Sequence, residues 1–153
     1  MIFERHFGAV YRFVARMRVS DAAAIDDLVQ ATFIEALRSA PRFRGPRLQS
    51  WLFGIAANVL RSYVRKEIAR KRAIALVVPL EPTTLDDERP DVARLHAAIA
   101  ALPRKLREVI VLVDLEGETG VDAAAALRIA ENTLWRRLAR ARERLRAALE
   151  VAR

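Results

Sequence analysis

Cysteine is absent from all 153 residues, which excludes disulfides, thiolate metal sites and cysteine nucleophiles. No stretch approaches the roughly 18 consecutive apolar residues that cross a bilayer. The opening Met-Ile-Phe-Glu-Arg-His is interrupted by charge too early for a secretion signal. A cytoplasmic protein with no membrane insertion is expected. Histidine is almost missing: His6 and His96 stand alone, and each reads as a surface or core residue. There is no paired-carboxylate motif, no metal-ligand spacing and, with only five glycines, no phosphate-binding glycine loop. No enzyme, no cofactor and no metal are therefore expected. Period-two alternation of apolar and polar residues is lacking too, which removes the signature of half-buried strands.

What is present is charge of one sign. Lys and Arg number 27 against 19 acids, for a net charge of +8 and a pI near 11.0. Such a balance favours a polyanionic partner, nucleic acid first and an anionic membrane surface second. Lysine supplies only Lys66, Lys71 and Lys105, so the basicity is arginine. Arginine recognises phosphate and guanine bidentately. A GC-rich coding sequence explains the Arg:Lys ratio equally well, but not where the charges sit. With 53% hydrophobic residues the chain has enough apolar material for a packed core.

Pro79 to Asp91 (PLEPTTLDDERPD) holds three of the six prolines and a net charge of −4, and reads as a flexible acidic linker. It divides the chain into 1–75, a linker over 76–92, and 93–153, both flanks helical: an all-α protein of two small domains. In the first, one helix is expected over Phe3–Val19. A second follows Asp21, with Ile25, Leu28, Val29, Thr32, Phe33, Ala36 and Leu37 at helical spacing, and ends at Pro41. After the loop PRFRGPRLQ, Ser50 is the expected cap of a third helix reaching about Arg72. In the second domain, helices are expected from Asp91 to Leu102, from Pro103 to Gly117, and over Thr119–Leu127. After a break at Arg128-Ile129-Ala130 a last helix runs to about Ala148.

A short helix, a tight turn and a long helix have the dimensions of a helix-turn-helix, whose second helix enters the major groove. Leu134, Leu138, Ala141 and Leu145 share one face of that helix, and Arg136, Arg137, Arg140 and Arg144 lie off it. Taken alone, the charge run fits a solvated helix face as well as a DNA contact; the preceding turn and the overall basicity favour DNA. A second basic cluster lies between Val59 and Arg72, where Asn58, Arg61 and Arg65 share a face opposite the apolar stripe. Arg42, Arg44 and Arg47 beside Phe43 precede it. Basic residues next to an aromatic suit single-stranded DNA, which offers phosphates and unstacked bases together. Trp51 and Tyr63, on the apolar stripe, read as core. Asp26, Asp27, Gln30 and Glu35 with Ile34 form an acidic face in a basic protein: either helix-dipole compensation or a protein-docking surface.

Two segments carry a family resemblance. Ile25-Asp-Asp-Leu-Val-Gln30-Ala-Thr-Phe33 with Ser50-Trp-Leu-Phe-Gly-Ile-Ala-Ala-Asn58 resembles conserved region two of the extracytoplasmic-function (ECF) sigma factors. Leu102-Pro-Arg-Lys-Leu-Arg-Glu-Val109, Gly117, and Asn132-Thr-Leu-Trp-Arg-Arg-Leu-Ala-Arg-Ala-Arg142 resemble their region four. The resemblance implies a promoter-specificity factor for core RNA polymerase, acting on promoter DNA and typically held inactive by a cognate anti-sigma factor. It places Asp27, Leu28, Val29, Gln30 and Phe33 on the polymerase clamp. The loop Arg42–Gln49, Arg44 among it, and Asn58, Arg61, Ser62 and Arg65 would melt and read the minus-ten element. Thr133, Arg136, Arg137 and Arg140 would read the minus-35 duplex, and the linker would thread toward the polymerase active site.

The sequence also departs from the family pattern. Gly120 and Ala123 stand where a bulky aromatic and an Ile are usual, so the first helix of the motif is expected to pack weakly. Arg128 replaces the usual turn glycine, a penalty if the position needs positive φ. Ala130 replaces the usual Ser cap, a loss of roughly 1 kcal/mol unless Asn132 substitutes. Trp135 occupies a position usually basic or polar. A stand-alone dimeric operator-binding regulator and an interaction protein that antagonises other regulators remain open as alternatives at this point.

Overall fold

The computed structural model describes residues 2–17, 22–45, 47–74 (backbone alone at 72–74) and 89–151. Helix α1, Ile2–Ala15, buries Ala9, Val10, Phe13 and Val14 on one face. It stops short of the expected Val19, in a turn at Arg16 and Met17. Helix α2, Ala22–Ser39, buries Ile25, Leu28, Val29, Thr32, Phe33 and Ala36 of the spacing read from the sequence, whereas Leu37, expected on the same stripe, is 76% exposed at its outer edge. Thr32 is fully buried without an orphaned hydroxyl, because Oγ1 donates to the Leu28 carbonyl at 2.7 Å. A 3-10 turn, Ala40–Arg42, with Pro41 at its start closes α2. Helix α3, Leu48–Ile74, carries Leu52, Phe53, Ala56 and Leu60 into the same core, where Phe53 meets Phe13 at 5.5 Å between ring centroids. The three helices form the first bundle.

The second bundle holds α4 (Pro90–Ala101), α5 (Arg104–Ile110, continued by a π-helical turn Val111–Leu115), α6 (Gly120–Leu127) and α7 (Glu131–Val151). Leu134, Leu138, Ala141 and Leu145 of α7 pack against α4, α5 and α6. Gly117, at φ +72°, makes the turn into α6, a conformation that glycine adopts without strain. Thr119 caps α6 by accepting the Asp122 amide at 3.1 Å. The all-α expectation holds among the described residues, and none of their helices is long and apolar enough to cross a membrane.

Three expectations need correction or fall outside. α3 begins at Leu48, so Ser50 lies within its first turn and is no cap; its hydroxyl points across to the second bundle. α4 begins at Pro90, ahead of the boundary placed at 93, because proline costs nothing in a first helical turn. Asp21 and the acidic stretch 79–88 lie outside the described residues, and with them the linker reading and its path to the polymerase active site.

Arg128 ends α6 at φ 54°, ψ 45°. This is the left-handed C-terminal position that glycine usually fills, and a side chain there costs about 1–2 kcal/mol. Arg128→Gly is therefore expected to stabilise the second bundle by about 1 kcal/mol, visible as a rise in the urea midpoint with unchanged slope. An equal or lower midpoint would show that the Arg128 side chain offsets its own backbone strain.

Candidate nucleic-acid interface

The α3 face is assembled as expected. Asn58, Arg61, Ser62 and Arg65 follow one another along the helix, joined by Arg61 donating to Asn58 Oδ1 at 3.0 Å and Arg65 to Ser62 at 3.4 Å. Arg44 does not join them. Its guanidinium folds back on its own loop, donating to the carbonyls of Pro41 (2.7 Å) and Phe43 (2.9 Å), so it shapes the loop. Phe43 stacks at 5.0 Å on Trp51, which is only half-buried: the expected core residue lines a cleft of about 230 Å³ instead. Arg47, Asn58 and, from the second bundle, Asp122 and Arg128 line it too.

On α7, Arg136 and Arg140 are exposed and Thr133 and Arg137 partly so, all off the buried stripe. Arg136 lies 3.4 Å from the Thr133 hydroxyl. Arg142 is different. It clasps Asp114 with two hydrogen bonds of 2.6 and 2.9 Å, and that bonding, ahead of any other influence, holds its pKa above the usual guanidinium value. Arg142 thus braces α7 against the end of α5, whereas Arg140 and Arg144 make no ion pair among the described residues.

The second bundle lies across the first, yet each basic face keeps two of its four residues exposed: Asn58 and Arg65 on α3, Arg136 and Arg140 on α7. α6 crosses α3 so closely that a Cβ on Gly54 would sit 2.8 Å from the Ala126 carbonyl oxygen. Carboxylates of the second bundle meet cations of the first around this crossing. Glu116, its side chain 4% exposed, takes Arg16 at 2.9 Å and Arg12 at 3.2 Å. Burial is the main influence on Arg16, lowering its pKa, and Glu116 opposes it. Glu108, 3% exposed, is held by Arg104 at 2.8 Å and reached by Arg61 at 3.6 Å. Asp122 pairs with Arg47 at 3.2 Å, and buried Glu118 accepts the Ser50 hydroxyl. Arg107, also buried, donates to the carbonyls of Ile99, Ala100 and Leu102 and, across the seam, to Met17 at 3.3 Å. Apolar residues of both bundles join in one continuous cluster.

On α2 the structure corrects the docking set. Leu28, Val29 and Phe33 are core residues, 6%, 1% and 8% exposed, because they form the stripe that holds α2 to its bundle. Asp27 and Gln30 are exposed, and Ile34 and Leu37 stand out into solvent near Phe3, whose ring packs on Phe33 at 4.8 Å. Sequence reasoning also missed the acids that clasp the first bundle. The signal was legible: Glu116, Glu118 and Asp122 fall within seven residues of an otherwise basic domain.

Comparison with known proteins gives the same two units. Residues 2–70 match the family model for sigma-70 region 2, and residues 93–145 that for sigma-70 region 4. The chain is 34% identical over 147 residues to the ECF RNA polymerase sigma factor SigC of Mycobacterium tuberculosis, covering 92% of this chain and 77% of SigC. It is 35% identical to the RNA polymerase sigma factor CarQ of Myxococcus xanthus, with 99% and 92% of the two chains covered. Among solved structures it resembles the sigma factor RpoE of Bartonella quintana, crystallised with the anti-sigma factor NepR. That likeness has a TM-score of 0.86 and 28% identity, spans 99% of this chain and 96% of the other, and so runs through both bundles at once. With both family regions in order and relatives matched over most of their length, the chain belongs to the ECF RNA polymerase sigma factors.

Proposed function

We propose that this sigma factor binds core RNA polymerase and directs promoter-specific initiation, reading minus-ten DNA with the first bundle and minus-35 duplex with α7. The observation that carries this is the pair of basic faces on separate bundles. The α3 face (Asn58, Arg61, Ser62, Arg65) adjoins an aromatic-lined loop, as single-strand capture requires. The α7 face (Thr133, Arg136, Arg137, Arg140) lies along one helix off its buried stripe, as major-groove entry requires. A stand-alone operator-binding regulator would have no use for the α3 face.

Polymerase contact falls to Asp27 and Gln30 with the apolar surface at Ile34 and Leu37 on α2. On this reading the compact arrangement is the resting form: Asp122 of α6 and Glu108 of α5 engage Arg47 and Arg61 beside the surface that would hold melted DNA, while Asn58 and Arg65 stay exposed. An anti-sigma factor is the expected stabiliser of that form, since the match to the NepR-bound sigma factor extends through both bundles.

Purified chain mixed with bacterial core polymerase is expected to form holoenzyme and give discrete run-off transcripts from a genomic promoter library. Failure to bind core enzyme from the source organism would overturn the proposal. Holoenzyme that transcribes with no sequence preference would overturn the assignment of the two DNA-reading faces.

A further inference from the structure

The helix-turn-helix departs from its family pattern in two places that the structure brings together. α6 offers α7 almost no side-chain volume: its buried residues are Gly120, Ala123, Ala124 and, at the far end, Leu127. The indole of Trp135 fills the gap from the opposite helix. A Cβ built on Gly120 would lie 2.3 Å from Trp135 Cζ2 and 2.9 Å from Cε2, so the ring rests directly on the Gly120 backbone. Its Nε1 donates to Glu131 at 3.2 Å, one turn back on α7, which fixes its rotamer. Trp135 as a whole remains 45% exposed.

We infer that Trp135 is a positioning residue for minus-35 recognition: seated on Gly120, it sets the spacing and angle between α6 and α7 in place of a bulky side chain on α6. This rests on the proposed minus-35 role of α7. The physical basis is volume conservation across a helix pair. A core keeps its geometry when the same space is filled from either side, and Gly120 is what allows filling from α7. The socket lies at the start of α6 and the ring at the start of α7. The contact therefore fixes the ends of the two helices that approach DNA together in this motif, one residue before Arg136.

The chain in holoenzyme tests it through a mutant cycle. Gly120→Ala should displace the indole and lower the thermal midpoint of the second bundle. In the Trp135→Ala background the same change should raise it, because alanine is the better helix former once the ring is gone. For promoter fragments with matched against scrambled minus-35 elements, Gly120→Ala and Trp135→Ala should each reduce the preference for the match about tenfold. The double variant should be no worse than Trp135→Ala, and Trp135→Phe should keep most of the preference. Additive losses, or unchanged preference in a folded Trp135→Ala protein, would overturn the inference. If Gly120→Ala prevents folding, rescue by Trp135→Ala supports the coupling and failure to rescue overturns it. Absence of minus-35 preference in the wild type itself, with the sign reversal in midpoint intact, would instead overturn the assignment of α7.

Discussion

Gly54→Ala should open the protein. The added methyl would meet the Ala126 carbonyl at 2.8 Å, a contact with backbone that no rotamer change relieves, so α6 must shift on α3. Within its own bundle the substitution works in the other direction. Alanine in a helix interior is better than glycine by roughly 0.5–1 kcal/mol, so the first bundle should become more stable as the seam fails. Few variants separate the two effects so cleanly, since charge, polarity and the DNA-facing arginines are untouched. The expected readout is a larger hydrodynamic radius together with tighter binding of a single-stranded minus-ten oligonucleotide by the isolated chain. If the open state is about a tenth of the population or less, removing the competition strengthens apparent affinity at least about tenfold. Unchanged radius and unchanged oligonucleotide affinity would refute the resting-form reading, leaving the compact arrangement without regulatory consequence.

Arg61→Ala and Arg137→Ala should fail at different steps of initiation. Arg61 sits in the α3 row beside Asn58, where separated strands would lie, and Arg137 on the duplex-reading face of α7. In holoenzyme the first variant should bind promoter within about twofold of wild type yet show permanganate-reactive thymines reduced about tenfold. The second should bind about 10- to 100-fold more weakly, the 1–3 kcal/mol expected for one base-reading arginine, and melt normally once saturated. Arg61 also reaches Glu108 at 3.6 Å across the seam, a contact that the proposed open form would not keep. Measuring both variants as holoenzyme therefore isolates the DNA role. Identical footprints for the two would remove the division of labour between the bundles.

The helices and the two basic faces were legible because they rest on local rules. Ile25, Leu28, Val29, Thr32, Phe33 and Ala36 announce α2 by spacing alone, and all six are buried. The arginines of α7 lie off a stripe that can be counted along the chain. What spacing does not reveal is which apolar residues of a motif are structural. Leu28, Val29 and Phe33 belong to the family motif for docking and also to the core, and core membership decides their exposure. Long-range pairing was hidden as well. Ser50 has the chemistry of a cap, yet its partner Glu118 is 68 residues away. Gly120 and Trp135 each look like a defect when read singly, and only their contact shows that one accommodates the other.

Arg107 bears on how such a molecule comes apart. Three of its carbonyl acceptors (Ile99, Ala100 and Leu102) lie at the end of α4, and a fourth, Met17, lies across the seam. Separation of the bundles would remove the bond to Met17 and leave the other three in place. The exposed end of α4, whose carbonyls would otherwise need water or new partners, stays satisfied by the same guanidinium. The second bundle thus carries this bracing of α4 within itself, whatever becomes of the reach to Met17.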